Sequence, residues 1–278
     1  KKTGTEKTTK SKPKRIGVPT ICLEEDAAKI VERTNDYDIF NLSRLGIPLL
    51  EIATDPDINT PEEAKECAEK LGMILRSTWK VKRGLGTIRQ DVNVSIIGGD
   101  RIEIKGAQDL KMIPTLIDYE ILRQKVMIAL ANDFKKISIK KDFVDLTPIF
   151  KNSESKVIKS ALEKKGVVYG MNIPGFKGIL GRETCPGRRI GSELSDYGKV
   201  KAGVGGLFHC DELPKYGITE NDVSKIIKKL ECKTNDGYIL IADNKDKVMR
   251  ALEAVYDRLQ DIPKGIIKEV RMAKPDGT

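Results

Sequence analysis

A strict alternation of apolar and polar residues in segment 87–105 constrains the fold of this chain more than any other feature. Apolar side chains occupy every second position of its first half, with one polar exception at Gln90: Ile88, Val92, Val94 and Ile96. A period of two is typical of a strand with one apolar face. Gly98-Gly99-Asp100 predicts a tight turn, and RIEIK predicts a return strand. The segment is therefore predicted to form an antiparallel hairpin.

The opposite face of the predicted hairpin carries its polar side chains. They are Arg89, Asp91, Asn93, Ser95, Arg101, Glu103 and Lys105. The polar face of an antiparallel sheet is usually a solvated surface. Carboxylates, cations and an amide on one face would also suit a reaction surface. The hairpin by itself leaves both interpretations open.

Acidic residues interrupt two other apolar segments. Glu51 lies within RLGIPLLEIATDPD, whose apolar run predicts a strand buried on both faces. A carboxylate there needs a cation, hydrogen bonds or a metal ion, because burying a bare charge is costly. Glu25 follows the apolar residues Ile21-Cys22-Leu23. Together with Asp91 and Glu103, these carboxylates suit Mg²⁺, which prefers oxygen ligands.

Length and charge indicate the broad organisation of the chain. A length of 278 residues favours about two domains. The formal net charge is +9, and residues 1–15 hold seven Lys or Arg against one acid, Glu6. We expect these residues to form a disordered basic arm, either solvated or directed at nucleic acid. Because the chain starts with Lys1 and ends in KPDGT, we expect it to be part of a longer protein.

Several classes of site are excluded by what the sequence lacks. The five cysteines form no CxxC pair, and scattered thiols are typical of a reducing cytoplasm. His209 is the only histidine, which excludes a zinc site built from histidines. No GxxxxGK[ST] motif occurs, so any ATP site is not a P-loop. The sequence contains no run of about eighteen apolar residues, so it predicts no membrane-spanning helix.

Two helices are predicted in the first half of the chain. Thr60 suits the N-cap of the first helix. The second covers residues 113–132, and we expect its polar residues Glu120, Arg123 and Gln124 to be exposed. The apolar stripe of the first helix is predicted to pack on the sheet.

Near Gly166 the chain becomes rich in Gly and Pro, and strands and helices then alternate as in a compact α+β unit. Basic residues stand among these glycines: Lys177, Arg182, Arg188 and Arg189. Such side chains can contact phosphates where the backbone comes close. Ordinary surface charge is the alternative interpretation.

Several motifs follow one another in an order that is similar to the B/E subunit family of the tRNA-dependent amidotransferases. They are RLGIPLLEIATDPD, TIRQDVNVSI, EIKG and YEILRQ. Later motifs resemble the insertion domain of bacterial-type aspartyl-tRNA synthetase: NIPGFKGILGRE, PGRRIGSEL and GGLFHCDELPKYGIT. A cradle domain that carries this insertion is typical of the E branch of the family.

The resemblance implies an α+β fold in two parts. Residues 16–165 would form a cradle domain with an antiparallel sheet, similar to the catalytic fold of glutamine synthetase, and residues 166–278 the smaller insertion domain. The family's site also uses an upstream strand with acidic residues and a histidine, which we expect to lie outside this chain. The isolated chain is therefore expected to hold an incomplete, inactive site.

The resemblance also implies a ligase activity, the ATP-dependent conversion of Glu-tRNA(Gln) to Gln-tRNA(Gln) in the cytoplasm. ATP and Mg²⁺ would serve to phosphorylate the γ-carboxylate of the tRNA-bound glutamate, and ammonia would displace the phosphate. The ammonia would come from a partner, the asparaginase-like amidase that forms the D subunit, in a heterodimer or heterotetramer.

The candidate site residues fall into four groups, and motif position carries over the metal ligands and residues of the hairpin. The metal ligands are Glu25 and Glu51. The ATP contacts are Arg44 and Asn93. The catalytic residues are Arg89, Asp91, Glu103 and Lys105, which would hold a second metal ion or offset phosphoryl charge. The tRNA contacts are Lys177, Arg182, Arg188 and Arg189.

Three other functions are alternatives to this one. A tRNA-binding module without catalysis of its own remains the main alternative. An aspartyl-tRNA synthetase is disfavoured because class II synthetase motifs are absent from the sequence. A bacterial-type B subunit is disfavoured because that subunit lacks the inserted domain.

Overall fold

The computed structural model describes residues 13–34, 36–84, 86–136 and 138–278. The chain divides into two compact units, Lys1–Val81 and Lys82–Thr278. The predicted basic arm lies outside the described residues, apart from its last three. Within the described ranges, no helix combines the length and the apolar character needed to cross a membrane.

The first unit contains two small antiparallel sheets and a helix. Its elements are β1 (Thr20–Glu25), β2 (Lys29–Arg33), β3 (Asp38–Asn41), β4 (Pro48–Ala53) and α1 (Pro61–Ser77). β1 pairs with β4, and β2 pairs with β3. The predicted cap of α1 is confirmed, because Thr60 Oγ1 accepts a hydrogen bond from the Glu63 N–H at 3.2 Å.

The prediction that the strand around Glu51 is buried on both faces is wrong. Glu51 on β4 is exposed, and so is its neighbour Leu50. β4 has β1 as its one partner among the described strands, and Leu23 on β1 is 81% exposed. Burial on both faces requires a layer on each side of a sheet, and an apolar run alone does not supply those layers.

The second unit contains the remaining elements. Its strands are β5 (Val92–Val94), β6 (Ile102–Lys105), β7 (Val144–Asp145), β8 (Val167–Ile173), β9 (Glu183–Cys185), β10 (Arg188–Arg189), β11 (Phe208–His209), β12 (Gly237–Asp243) and β13 (Glu269–Met272). Its α-helices are α2 (Ile113–Asp133), α3 (Lys156–Glu163), α4 (Ile190–Ala202), α5 (Glu220–Lys229) and α6 (Lys245–Asp261).

The predicted hairpin is confirmed, although its first strand is shorter than the alternating segment. β5 and β6 pair antiparallel, with Asn93 opposite Glu103, and the Gly99 N–H donates to the Ile96 carbonyl at 2.9 Å in the turn. The apolar face of the hairpin is buried and contacts α2. β13 extends the sheet by running parallel to β6. We expected β13 in the second domain, whereas the end of the chain returns to the hairpin.

The other elements of this unit form an α+β structure around a second sheet. Its strands lie in the order β11-β12-β8-β7 and are all antiparallel. The apolar residues of α6 form a buried stripe in the core: Val248, Ala251, Leu252, Val255 and Leu259. The chain is therefore a mixed α/β structure with small, mainly antiparallel sheets. The cradle shape and the domain bounds 16–165 and 166–278 remain predictions.

Candidate functional site

Three of the predicted catalytic residues lie together on the polar face of the β5–β6 hairpin. Lys105 Nζ lies 3.2 Å from Glu103 Oε1 and 3.8 Å from Asp91 Oδ2. The Gly106 N–H donates to Asp91 Oδ1 at 3.3 Å, which holds this carboxylate from the other side. The three charged side chains are 34% to 46% exposed. This hairpin cluster of Asp91, Glu103 and Lys105 is therefore open to a ligand from solvent.

The two other predicted residues of the hairpin differ in how they are placed. Asn93 stands opposite Glu103 on β5, and its side chain is exposed on the same face. Arg89 lies before β5, where strand pairing does not set the direction of its side chain, and it is exposed. The structure thus brings four of the predicted residues onto one face and leaves Arg89 beyond its edge.

β13 adds two residues to this face that sequence reasoning missed. In the parallel register, Val270 stands beside Glu103 and Met272 beside Lys105. Partners in neighbouring strands project to the same side of a sheet, and both side chains are exposed. An apolar strip therefore borders the hairpin cluster. The alternation in EVRM is typical of a two-faced strand, but only the pairing with β6 places these residues here.

The chemistry of the hairpin cluster fits a cation shared with a phosphate ligand. The cluster contains two carboxylates and one ammonium group, so its formal charge is negative. Carboxylate oxygens are ligands that Mg²⁺ prefers. Mg²⁺ usually takes one or two protein carboxylates together with waters and substrate phosphates. In the part of the chain that the structure describes, no three acidic, His or Cys side chains are grouped closely enough to hold a metal ion. The donors therefore suit a shared ion better than an all-protein metal centre.

The predicted metal ligands of the first unit lie on opposite faces of one ladder. Glu51 stands opposite Cys22, and Glu25 stands opposite Pro48. These two pairs are an odd number of residues apart, so their side chains project to opposite sides. Glu24, which pairs with Leu49, shares the face of Glu51. The assignment of Glu25 and Glu51 to Mg²⁺ stays a prediction.

Arg44, the predicted ATP contact of the first unit, is engaged in local structure. Its Nε donates to the Ala27 carbonyl at 2.8 Å and lies 3.8 Å from Asp26 Oδ1. The Asp26 N–H in turn donates to the Ile47 carbonyl at 2.9 Å. The guanidinium therefore joins the segment after β1 to the segment before β4.

Glu120, Arg123 and Gln124 on α2 are buried, contrary to the prediction that they are exposed. Their exposed fractions are 5%, 3% and 0%. They follow the apolar residues Ile113 and Leu116 at helical spacing, so they continue the stripe that faces the core. This periodicity was the signal for their burial, and their polar character misled the prediction.

Glu120 and Arg123 belong to a largely buried charge network of three glutamates and three arginines, called here the buried charge network. Its members are Glu120, Arg123, Glu193, Arg258, Glu269 and Arg271. Arg123 donates from Nε to Glu120 Oε2 at 2.8 Å and from Nη1 to Glu193 Oε1 at 3.2 Å. Arg258 Nη2 donates to the same Glu193 oxygen at 2.8 Å. Each buried charge therefore has an opposite partner, which offsets the cost of removing it from water.

The pKa values of the network follow from this pairing. Burial by itself would raise the pKa of Glu193, but Arg123, Arg271 and Arg258 outweigh it and lower that pKa to about 2. Burial also opposes the charged form of Arg123, but the charge of Glu193 and the hydrogen bond to Glu120 outweigh burial and raise its pKa. The network joins α2, α4, α6 and β13, so it fixes the hairpin sheet to the α+β elements.

The basic residues predicted to contact RNA differ in exposure and in ion pairing. Lys177, Arg182 and Arg189 are exposed. Arg188 forms an ion pair with Asp196 on α4, and its side chain is 18% exposed. The structure therefore leaves the first three on the surface and uses Arg188 within the fold.

Two carboxylates hold the glycine-rich loop that carries Lys177. Asp211 accepts hydrogen bonds from the N–H groups of Gly178 and Gly181, both at 2.7 Å. Asp236 Oδ1 accepts one from the Gly175 N–H at 3.2 Å. These hydrogen bonds hold the loop that carries the exposed Lys177 in a defined conformation.

Comparison with protein families gives the class to which these sites belong. Residues 2–189 match the family described as the GatB/GatE catalytic domain, and residues 158–252 match the GAD domain. The first match covers more than half of the chain, and the chain belongs to the GatB/GatE catalytic domain family. The resemblance stated from the sequence motifs is thereby confirmed.

Several proteins similar to this chain are named as the E subunit of glutamyl-tRNA(Gln) amidotransferase. The chain is 54% identical over 268 residues to that of Methanococcus maripaludis and 50% identical over 266 residues to that of Methanocaldococcus jannaschii. It is 48% identical over 267 residues to that of Pyrococcus abyssi. These matches cover 94% to 95% of the chain but 42% of each relative. The chain therefore spans less than half the length of these relatives.

Proposed function

We propose that the full-length protein converts Glu-tRNA(Gln) to Gln-tRNA(Gln) with ATP. In the first step, the γ-carboxylate of the tRNA-bound glutamate attacks the γ-phosphorus of ATP, which gives an acyl phosphate and releases ADP. In the second step, ammonia attacks the acyl carbon, loses a proton and displaces inorganic phosphate. Membership of the GatB/GatE family and the name of the relatives support this reaction.

The observation that carries the proposal is the hairpin cluster on its open sheet face. Phosphoryl transfer depends mainly on positioning and on electrostatic stabilisation. Lys105, assisted by Arg89, would offset negative charge on the transferred group. Asp91 and Glu103 would hold Mg²⁺ together with the phosphates of ATP. The ion would supply charge neutralisation at the phosphate oxygens.

The remaining assignments complete the nucleotide site. Glu25 and Glu51 would act as further Mg²⁺ ligands, and Arg44 and Asn93 would contact ATP. Because Glu25 and Glu51 project to opposite sides of their ladder, we propose that they serve separate ligand positions. These residues would belong to a glutamine synthetase-like cradle at residues 16–165.

The GAD part of the chain would bind the tRNA. Lys177, Arg182 and Arg189 would contact phosphates, and Arg188 would support this surface through Asp196. Ammonia would come from the asparaginase-like amidase, the D subunit, in a cytoplasmic heterodimer or heterotetramer. The domain that holds this surface would extend over residues 166–278.

Transamidation by the full-length protein, with and without the amidase partner, tests this function. With Glu-tRNA(Gln), ATP and an ammonium salt, we expect Gln-tRNA(Gln) to form without the partner. With an amide donor in place of the ammonium salt, we expect product only when the partner is present. Absence of product and of ADP with the ammonium salt would contradict the proposed activity.

The alternative is a tRNA-binding module without catalysis of its own. The exposed Lys177 on its carboxylate-held loop favours it, because such a loop can bind RNA whether or not chemistry follows. In that case the full-length protein binds tRNA, and ammonium salt yields neither ADP nor Gln-tRNA(Gln).

A further inference from the structure

Tyr216 lies exposed at the tip of a tight turn in the GAD part of the chain. Tyr216 and Gly217 have φ values of 59° and 80°, and the Ile218 N–H donates to the Lys215 carbonyl at 3.0 Å. Two consecutive positive φ values closed by this hydrogen bond are features of a type I′ turn. The turn thus projects an aromatic side chain that is 49% exposed.

A tyrosine is an unfavourable residue at this position. The first central residue of a type I′ turn is usually Asn, Asp or Gly, because a bulky side chain is strained at positive φ. The residues after Tyr216 hold the turn in place, because Ile218 is buried and Gly217 packs so closely that a Cβ there would lie 2.6 Å from the Ser155 nitrogen. The turn therefore does not depend on the side chain of Tyr216. Strained residues of this kind concentrate at functional sites. The side chain of Tyr216 is therefore the feature to explain.

The surroundings of the ring combine aromatic and basic groups. Its centroid lies 5.8 Å from that of Phe208, and its hydroxyl donates to Glu212 Oε2 at 3.3 Å. Lys215 Nζ lies 5.3 Å from the centroid, over the ring. The charge of Glu212 raises the pKa of Tyr216, and the charge of Arg189 acts in the opposite direction, so Arg189 lies within electrostatic range of the phenol. Phe208 and Glu212 thus contact the ring, and the exposed Lys215 stands over its face.

We propose that Tyr216 is a stacking platform for an unpaired nucleotide of bound RNA, with Lys215 and Arg189 contacting the adjacent phosphates. An aromatic ring among basic side chains is the usual way in which proteins bind single-stranded nucleotides. The exposed Lys215 ammonium can move from the ring face to a phosphate, which frees that face for a base. The inference rests on the proposed tRNA binding and adds the unpaired nucleotide as its ligand.

Substitutions at Tyr216 in the full-length protein test the platform through the affinity for a tRNA(Gln) transcript. We expect Tyr216→Phe to bind within about twofold of wild type, and Tyr216→Ala to bind about tenfold more weakly because the stacking ring is lost. The salt dependence should not change in either variant, since no phosphate contact is removed. Tyr37→Ala is the matched control, because Tyr37 is a similarly exposed tyrosine, at 56%, in the first unit.

Two further arms separate stacking from a structural role. Tyr216→Asn relieves the backbone strain, so we expect it to unfold at the same or a higher temperature while binding tRNA as weakly as Tyr216→Ala. With a blunt RNA duplex that has no unpaired nucleotide, wild type and Tyr216→Ala should bind equally. Equal affinity of wild type and Tyr216→Ala for tRNA would overturn the platform alone. Failure of wild type to bind tRNA would overturn the proposed tRNA surface as well.

Discussion

The hairpin cluster and the buried charge network are two groups of paired acids and bases that differ in their access to water. The charged side chains of the hairpin cluster are 34% to 46% exposed, whereas those of Arg123, Glu193 and Arg258 are at most 7% exposed. Exposed pairs contribute little to stability and can exchange partners when a ligand arrives. Buried pairs cannot lose a partner without a large cost. The difference separates residues available to a ligand from residues that hold the fold together.

The largest effect is expected from Arg123→Met in the full-length protein. This change leaves Glu120 and Glu193 buried without their shared partner, and breaking a buried pair costs about 3–5 kcal/mol. Urea unfolding should therefore show a lower free energy of unfolding by about this amount. Lys105→Met is the matched control in the hairpin cluster, where we expect a loss below about 1 kcal/mol. Equal losses in the two variants would remove the distinction between the groups.

A smaller effect is expected from the pH dependence of the network. Since folding lowers the pKa of Glu193 from 4.5 to about 2, its stabilising contribution is complete above pH 4.5 and is lost as the pH falls toward 2. The loss is on the order of 3 kcal/mol. Unfolding measured between pH 6 and 2 should show that the gap between wild type and Glu193→Gln narrows as the pH falls. Glu163→Gln, at an exposed glutamate on α3, is the matched control at a surface position.

The smallest effect is expected from substitutions at two neighbouring arginines, one exposed and the other paired with a carboxylate. Arg189 is exposed, whereas Arg188 is paired with Asp196. We expect Arg189→Ala to weaken tRNA binding and to reduce the slope of log affinity against log salt by about 1, as for one lost phosphate contact. Arg188→Ala should leave this slope unchanged. The reverse result would assign the phosphate contact to Arg188.

Local features of the fold were predictable from the sequence. The hairpin turn and the Thr60 cap depend on a few neighbouring residues, and the structure confirms both of them. The grouping of Asp91, Glu103 and Lys105 followed from the same alternation. Short-range patterns therefore gave the side of the sheet on which the candidate site lies.

Features that depend on distant partners were not predictable in this way. The position of Val270 and Met272 on the site face depends on pairing between β13 and β6, which are far apart in the sequence. The burial of β4 was predicted wrongly because it depends on the layers around its sheet. Glu120 and Arg123 were predicted to be exposed because they are polar, although their helical spacing places them on the core face. Their burial also depends on distant partners such as Glu193.

The most direct test of the central claim is phosphoryl transfer by Asp91→Asn in the full-length protein. We expect this variant to bind Glu-tRNA(Gln) with nearly wild-type affinity but no longer to form ADP or the acyl phosphate, because one carboxylate of the hairpin cluster is lost. Asp118→Asn, at an exposed aspartate on α2, should retain both activities. Retained phosphorylation of Glu-tRNA(Gln) by Asp91→Asn would contradict the claim that the hairpin face is the reaction surface.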